Sequence, residues 1–278
     1  MLIDTHCHLH DRGFFTAEQA EEMIKRAHEN GVKKIICIGT SHEDSLAARD
    51  FAEAHENVFW TYGIHPENAS KEGVLTDISS SEARSAGPSP RAAAANPRLA
   101  SLRTLLRSDI SATPSPSKLV GIGEVGLDYH YEGYDRDAQI KLFREMLQLA
   151  KDNDLPVSFH VREAFDDFFE IVKDYPEVRG VVHSFTDSKK TLKRILNETD
   201  YYIGVNGLAT YSTLPTPPLE RILLETDAPF LTPEPFRGII NECAYVRNVA
   251  EWLSVKLGVS IDIIEKETTQ NGERLYRI

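Results

Sequence analysis

Short apolar runs alternate with amphipathic segments from one end of this chain to the other, and that alternation restricts its fold more than any other feature. Runs rich in apolar or β-branched residues, bounded by Gly, Pro or polar residues, fall at 2–9 (LIDTHCHL), 33–40 (KKIICIGT), 58–64 (VFWTYGI), 119–127 (LVGIGEVGL), 156–161 (PVSFHV), 180–185 (GVVHSF), 201–206 (YYIGVN) and 221–226 (RILLET). They read as eight strands. Helical periodicity fills most of the gaps, from Thr16 to Asn30, Glu43 to His55, Asp135 to Asn153, Ala164 to Tyr175 and Ser188 to Glu198, with further helices near 241–257 and 260–276. Thr16 is a capping residue and Gly31 a natural stop. Near-continuous apolar strands separated by helices belong to a parallel sheet buried on both faces, and eight repeats predict closure into a TIM-type (β/α)8 barrel. At 278 residues with 41% hydrophobic content, the whole chain reads as one α/β barrel domain.

One stretch breaks the alternation. Residues 79–118 hold ten Ser, eight Ala and five Pro, no aromatic residue, and six basic against two acidic side chains. Such a segment buries too little apolar area to offset its ordering entropy, so it reads as a mobile insertion between the third and fourth strands. Only 99–107 (LASLRTLLR) carries a short apolar stripe.

Charge and cysteine usage exclude several classes. With 43 acidic and 31 basic residues the net charge is −12, which argues against a protein that coats nucleic acid through a broad basic face. It leaves room for an enzyme that handles phosphates through bound cations. The start, Met1-Leu2-Ile3-Asp4, has no cationic region followed by a long apolar one, and no apolar run approaches a membrane span. A cytoplasmic protein is expected. Cys7, Cys37 and Cys243 are widely spaced with no CxxC pair, which points to reduced thiols in a core.

The polar residues at the strand ends carry the chemistry. His6 and His8 share one face of the first strand, because side chains alternate, and two imidazoles on one face can hold a divalent metal. Glu124, His160, His183 and Asp227 each stand near the C-terminal end of a different strand, the end at which barrel loops converge on a site. Six candidate ligands thus meet in one mouth, and unpaired groups gathered there without a cation would each cost a few kcal/mol. His65 in GIHP faces the same mouth and is a candidate donor to a substrate phosphate. Arg162, two residues after His160, is a candidate clamp for an oxyanion, with a salt bridge to Glu163 or Asp166 as the structural alternative. The remaining histidines, His10, His28, His42, His55 and His130, read as surface residues.

The segments DTHCHLH (4–10), GIHPEN (63–68), IGEVGLDY (122–129), PVSFHVREA (156–164), VVHSFT (181–186), VNGLATY (205–211) and ETDAPFLTP (225–233), with the ending near 241–250, resemble the TatD family of metal-dependent deoxyribonucleases. The resemblance runs from residue 2 to about 277, interrupted by 79–118. It implies an amidohydrolase-like barrel with two divalent ions of Mg, Mn or Zn that cleaves DNA phosphodiesters, often 3′ to 5′. It places His6, His8 and Asp227 on one ion, His160 and His183 on the second, Glu124 between them, and His65 and Arg162 on substrate. Two segments depart from the family pattern. Residues 237–243 read Arg237-Gly238-Ile239-Ile240-Asn241-Glu242-Cys243 in place of RGKRNEP, and 183–187 end in Asp187 in place of Gly. The first predicts altered DNA binding; the second predicts either repulsion of phosphate or a loop cap.

The mechanism that follows is attack by a metal-activated water, with Asp227 and Glu124 as the catalytic carboxylates. No Ser-His or Cys-His arrangement competes. The same ligands would serve a hydrolase of an amide, lactone or ester, and a binder with structural metals is a reading of another class.

Overall fold

The computed structural model describes residues 1–72 and 118–278. Its strands are β1 (Leu2–Cys7), β2 (Val32–Ile38), β3 (Val58–Tyr62), β4 (Leu119–Asp128), β5 (Val157–Arg162), β6 (Gly180–Val182), β7 (Tyr202–Val205) and β8 (Ile222–Leu224). They pair in sequential order, and every pair is parallel. The ends of the sheet meet through a parallel bridge between Cys7 and Ala228. His8 N–H donates to the Ala228 carbonyl at 2.7 Å, and Asp227 N–H to the His6 carbonyl at 2.8 Å. Asp4 reinforces this seam, accepting from Thr226 N–H at 2.9 Å and from Thr226 Oγ1 at 2.6 Å. The fold is a TIM-type barrel. Several of its strands are shorter than the apolar runs, three residues each for β6 and β8, because the runs continue past the last ladder bond into the loops of the mouth.

The helices are α1 (Ala17–Glu29), α2 (His42–Ala54), α3 (Ala69–Glu72), α4 (Arg136–Asp152), α5 (Phe165–Val172), α6 (Lys189–Glu198), α7 (Val246–Leu257) and α8 (Ile261–Tyr276). Helix α1 begins with a reciprocal capping box between Thr16 and Gln19, an arrangement in which each cap contributes about 1 kcal/mol. Ser41, Asp135 and Ser188 cap α2, α4 and α6 in the same way from one side. After β7 the chain makes 3-10 turns at Gly207–Thr210 and Leu219–Arg221. The intervening Pro215, Pro217 and Pro218 lack the N–H groups a helix would need. The helix expected over 241–257 begins only at Val246, after a 3-10 turn at Cys243–Tyr245. Asn241 and Glu242 are drawn away from it, Asn241 donating to the carbonyls of Thr226 and Phe230 and Glu242 accepting from Arg26.

Inside the barrel, Ile36, Val120, Val181 and Leu223 form a layer from β2, β4, β6 and β8, closed by Leu275 and Tyr276 of α8. A layer drawn from alternate strands is how such a barrel fills its axis. Their outward neighbours Ile35, Cys37, Val182 and Leu224 pack beneath the helices. Leu223 is fully buried, so Leu223→Ala is expected to cost about 2–5 kcal/mol. Urea unfolding checks this; a loss below about 1 kcal/mol would mean that the interior re-collapses around the gap.

The stretch 79–118 lies outside the described residues apart from Lys118, whose ammonium donates to the carbonyls of Ala52 and His55 and ties the entry of β4 to the end of α2. Among the described residues no helix is long and apolar enough to cross a membrane. All three cysteines are buried and unpaired.

Candidate functional site

The strand ends deliver the sequence-identified residues to one cavity of about 650 Å³ at the C-terminal mouth, lined among others by His8, His65, Glu124, His160, Arg162 and Asp227. His6 is fully buried beneath it, with Nδ1 against Ser158 Oγ at 3.3 Å. His8 Nδ1 lies 3.0 Å from the Ile38 carbonyl. A carbonyl only accepts, so His8 Nδ1 carries a proton, and Nε2, facing the mouth, is the atom left to bind a metal when the ring is neutral. Asp227 Oδ1 stands 3.7 Å from His6 Nε2 and 3.4 Å from His8 Nε2. It is placed there by a left-handed turn, φ 58°, which costs about 1 kcal/mol. The turn is held by the bond to His6 and by Phe230 N–H donating to the Asp227 carbonyl at 2.8 Å.

Glu124 stands at the centre, and its two oxygens divide the histidines between them. Oε2 faces the β1 pair, 3.4 Å from His6 Nε2 and 4.0 Å from His8 Nε2. Oε1 faces the other side, 2.5 Å from His160 Nδ1, 2.8 Å from His183 Nε2 and 3.7 Å from His65 Nε2. Gly63 permits this placement, since a Cβ there would lie 2.2 Å from the Glu124 backbone nitrogen.

Three buried partners went unnoticed in the sequence. Asp128 Oδ2 accepts from His160 Nε2 at 2.9 Å, which leaves Nδ1, facing Glu124 in the mouth, as the atom to bind a metal when the ring is neutral. Glu225, fully buried, holds Oε1 3.7 Å from His183 Nδ1 and accepts from Ser184 N–H at 2.6 Å. Gly204 makes room for it, because a Cβ there would meet Glu225 Oε2 at 2.4 Å. Ser158 backs His6. Each missed residue lies two or four positions from one already identified, so the period-two rule for strand faces was the available signal.

His65 and Arg162 line the cavity. Glu67 N–H donates to His65 Nδ1 at 3.3 Å, so the His65 proton is on Nε2, the nitrogen that faces the mouth. Arg162 does not take the salt bridge held open for it. Its guanidinium stands 5.3 Å from the Tyr131 ring, while Glu163 pairs with His130 and Asp166 with Arg194. Asp187 is a loop cap, accepting from Ser188 N–H and from Thr191 Oγ1, each at 2.5 Å.

His10 is a correction. It is 1% exposed rather than on the surface, and its Nε2 lies 3.0 Å from Asp44 Oδ1, while Asp44 Oδ2 accepts from Thr40 N–H at 2.8 Å. The clamp ties the loop after β1 to that after β2. Burial alone would raise the Asp44 carboxyl, but the His10 and Thr40 bonds bring it down to about 2. A carboxyl lowered on folding stabilises above its unfolded pKa near 3.9 and loses that contribution as pH falls toward about 2. Asp44→Asn is therefore expected to flatten the fall in melting temperature between about pH 4 and pH 2; parallel curves for variant and wild type would refute it.

The electrostatics favour a cation. Burial would raise Glu124, yet His183, His160 and His6 hold it well below the usual carboxylate range. Against the opposing effect of burial, Asp227 and Glu124 push His8 up to about 9, and the carboxylates beside His160 and His183 raise both. Positive charge is what this carboxylate cluster requires, and a divalent ion supplies it while the imidazoles serve as neutral ligands. His6 Nε2 and His183 Nδ1 are buried without a hydrogen-bond partner, and the groups His6/His8/Glu124 and His6/His183/Glu225 each bring ligand atoms within 4.8 Å of one another. The residues present fit metal ions.

A sequence profile of TatD related DNases matches residues 3–277. An uncharacterized metal-dependent hydrolase of Bacillus subtilis, YabD, is 32% identical, covering 100% of both chains. The 3′-5′ ssDNA/RNA exonuclease TatD of Erwinia tasmaniensis is 30% identical over 94% of this chain and 95% of its own. The crystal structure of YjjV, a TatD homologue of Escherichia coli K12, superimposes with a TM-score of 0.80 at 29% identity, over 100% of this chain and 98% of that one. With a mouth whose donors fit metal ions and a match that spans the barrel, this chain is a metal-dependent hydrolase that belongs to the family of TatD related DNases.

Proposed function

We propose that this protein hydrolyses DNA phosphodiesters from a single-stranded 3′ end, using two divalent ions of Mg, Mn or Zn. The observation that carries the reading is the division of Glu124, one oxygen toward His6 and His8 and the other toward His160 and His183. In this reading His6, His8 and Asp227 would hold one ion and His160 and His183 the other, with Glu124 placed to serve as a ligand to either. The description of the Erwinia relative supports the direction.

When bound, such ions supply Lewis-acid polarisation of the phosphate and acidification of water. The remaining work belongs to side chains of the protein. Asp227 accepts the proton of the attacking water. Asp128 and the Ile38 carbonyl fix the tautomers of His160 and His8, so that each presents a lone pair without rearrangement. Arg162 holds the non-bridging phosphate oxygens through its charge. His65, lowered to about 4 by burial, is neutral at neutral pH and donates to them from Nε2–H. The whole chain, 1–278, acts as one domain in the cytoplasm, a reading that the three buried, unpaired thiols support.

The test is digestion of a 5′-labelled single-stranded oligonucleotide by metal-stripped protein with Mg²⁺, Mn²⁺ or Zn²⁺ restored. The expected result is a ladder that shortens from the 3′ end only when metal is present. Turnover of a lactone or amide with DNA inert would instead assign the site to carbonyl chemistry, and DNA binding without cleavage would make the protein a binder.

A further inference from the structure

Four aromatic side chains among the described residues are strongly exposed: Phe14 at 47%, Tyr131 at 53%, Tyr134 at 43% and Phe230 at 47%. Three of them, Phe14, Tyr131 and Phe230, line the cavity that holds Glu124 and Asp227. Exposed rings cost free energy in water, and their concentration at one mouth points to something that covers them.

Phe14 and Phe230 form an edge-to-face pair with centroids 5.3 Å apart, and the Phe230 ring lies 6.4 Å from that of His8. The pair is anchored. Phe230 N–H donates to the carbonyl of Asp227, the Asn241 side chain donates to the Phe230 carbonyl at 2.5 Å, and Phe14 N–H donates to the Asp11 carbonyl at 3.2 Å. One turn of chain therefore sets the Asp227 carboxylate and the Phe230 ring together. Beyond Phe230 the rim continues apolar: Ile239 and Ile240 are 54% and 56% exposed, and Thr232 Oγ1 donates to the Ile239 carbonyl at 2.7 Å. Over 228–241 the only charged residues are Glu234 and Arg237, of opposite sign, and the Arg237 guanidinium lies 4.1 Å from the Tyr211 ring. This flank is built for apolar contact rather than for tracking a phosphate backbone.

We infer that Phe14 and Phe230 form a stacking platform for the unpaired nucleobase next to the scissile phosphodiester, the inference resting on the phosphodiesterase reading above. A base in a duplex is already stacked and paired, whereas a free terminal base offers its π-face to any ring. The platform thus makes the site select single strands and frayed ends by the base, without reading its identity. Because no cation of this flank is committed to phosphate, its contribution persists at high salt.

The experiment compares oligonucleotides that end in a normal or an abasic 3′ nucleotide, with Mn²⁺-loaded wild type, Phe14→Leu and Phe230→Leu. Stacking is worth roughly 5- to 150-fold per base. Wild type is expected to prefer the base-bearing end by a factor in that range through KM, at 50 and 300 mM salt alike. In either variant the preference is expected to collapse to within about threefold. A preference that survives both substitutions, or one absent from wild type, overturns the platform. If wild type cleaves neither substrate, the phosphodiesterase reading has failed instead. The platform is then judged by 3′-terminal 2-aminopurine, whose fluorescence wild type should quench at least twofold and the Leu variants should not; no quenching by wild type overturns it.

Discussion

Glu124→Gln is expected to lower kcat on single-stranded DNA by about 10³-fold or more, with the far-UV circular dichroism spectrum unchanged. The amide keeps the size of the carboxylate but removes its charge. One of its two oxygens becomes an NH₂ group that can only donate, aimed at one of the two histidine sets. Oε1 now faces His160 and His183, and Oε2 faces His6 and His8, so whichever position takes the nitrogen, one side of the site loses its acceptor. Removing a single preorganised group at a reacting centre costs about 10²–10³ in rate. Glu124 serves both sides, which sets the larger expectation. Steady-state kinetics beside metal analysis checks it; a variant within tenfold of wild type would rule out a carboxylate shared between two ions.

Metal removal has the second large effect. Chelation is expected to abolish turnover, and restoring ion at 100–1,000 times its dissociation constant is expected to stabilise the fold by about 2.7–4.1 kcal/mol. At the usual scaling that raises the melting temperature by roughly 5–15 °C. The physical source is the carboxylate cluster: Glu124, Asp227 and Asp128 stand against His8, His160 and His183, and without a cation these three histidines balance that charge by taking up protons. Loading with metal displaces those protons, so the gain should grow between pH 6 and pH 8. A melting temperature indifferent to metal throughout that range would refute a resident ion.

The barrel was legible because its evidence is local. Apolar runs at eight places, the capping residue Thr16 and the stop at Gly31 each act on a few neighbouring residues. The candidate ligands were legible for the related reason that they stand near strand ends, where the fold itself gathers side chains. What escaped was pairing across strands. Asp128 and Glu225 look in the sequence like ordinary strand-end acids, and their contacts with His160 and His183 bridge 32 and 42 positions along the chain. His10 escaped likewise, since nothing near it in sequence announces Asp44, a partner 34 positions away.

By itself the sequence determined which residues share a face, because alternation along a strand is a property of the backbone alone: Asp4, His6 and His8 point one way, and so do Glu124 and Asp128. It also determined the family, through segments that keep their order from Asp4 to Pro233. Only the tertiary structure decided which oxygen of Glu124 meets which histidine, on which nitrogen His65 carries its proton, and that Phe14 and Phe230 stand together at the rim. Those facts are distances between strands far apart in the chain. They are set by closure of β1 against β8 and by the packing of the barrel interior, which no local pattern encodes.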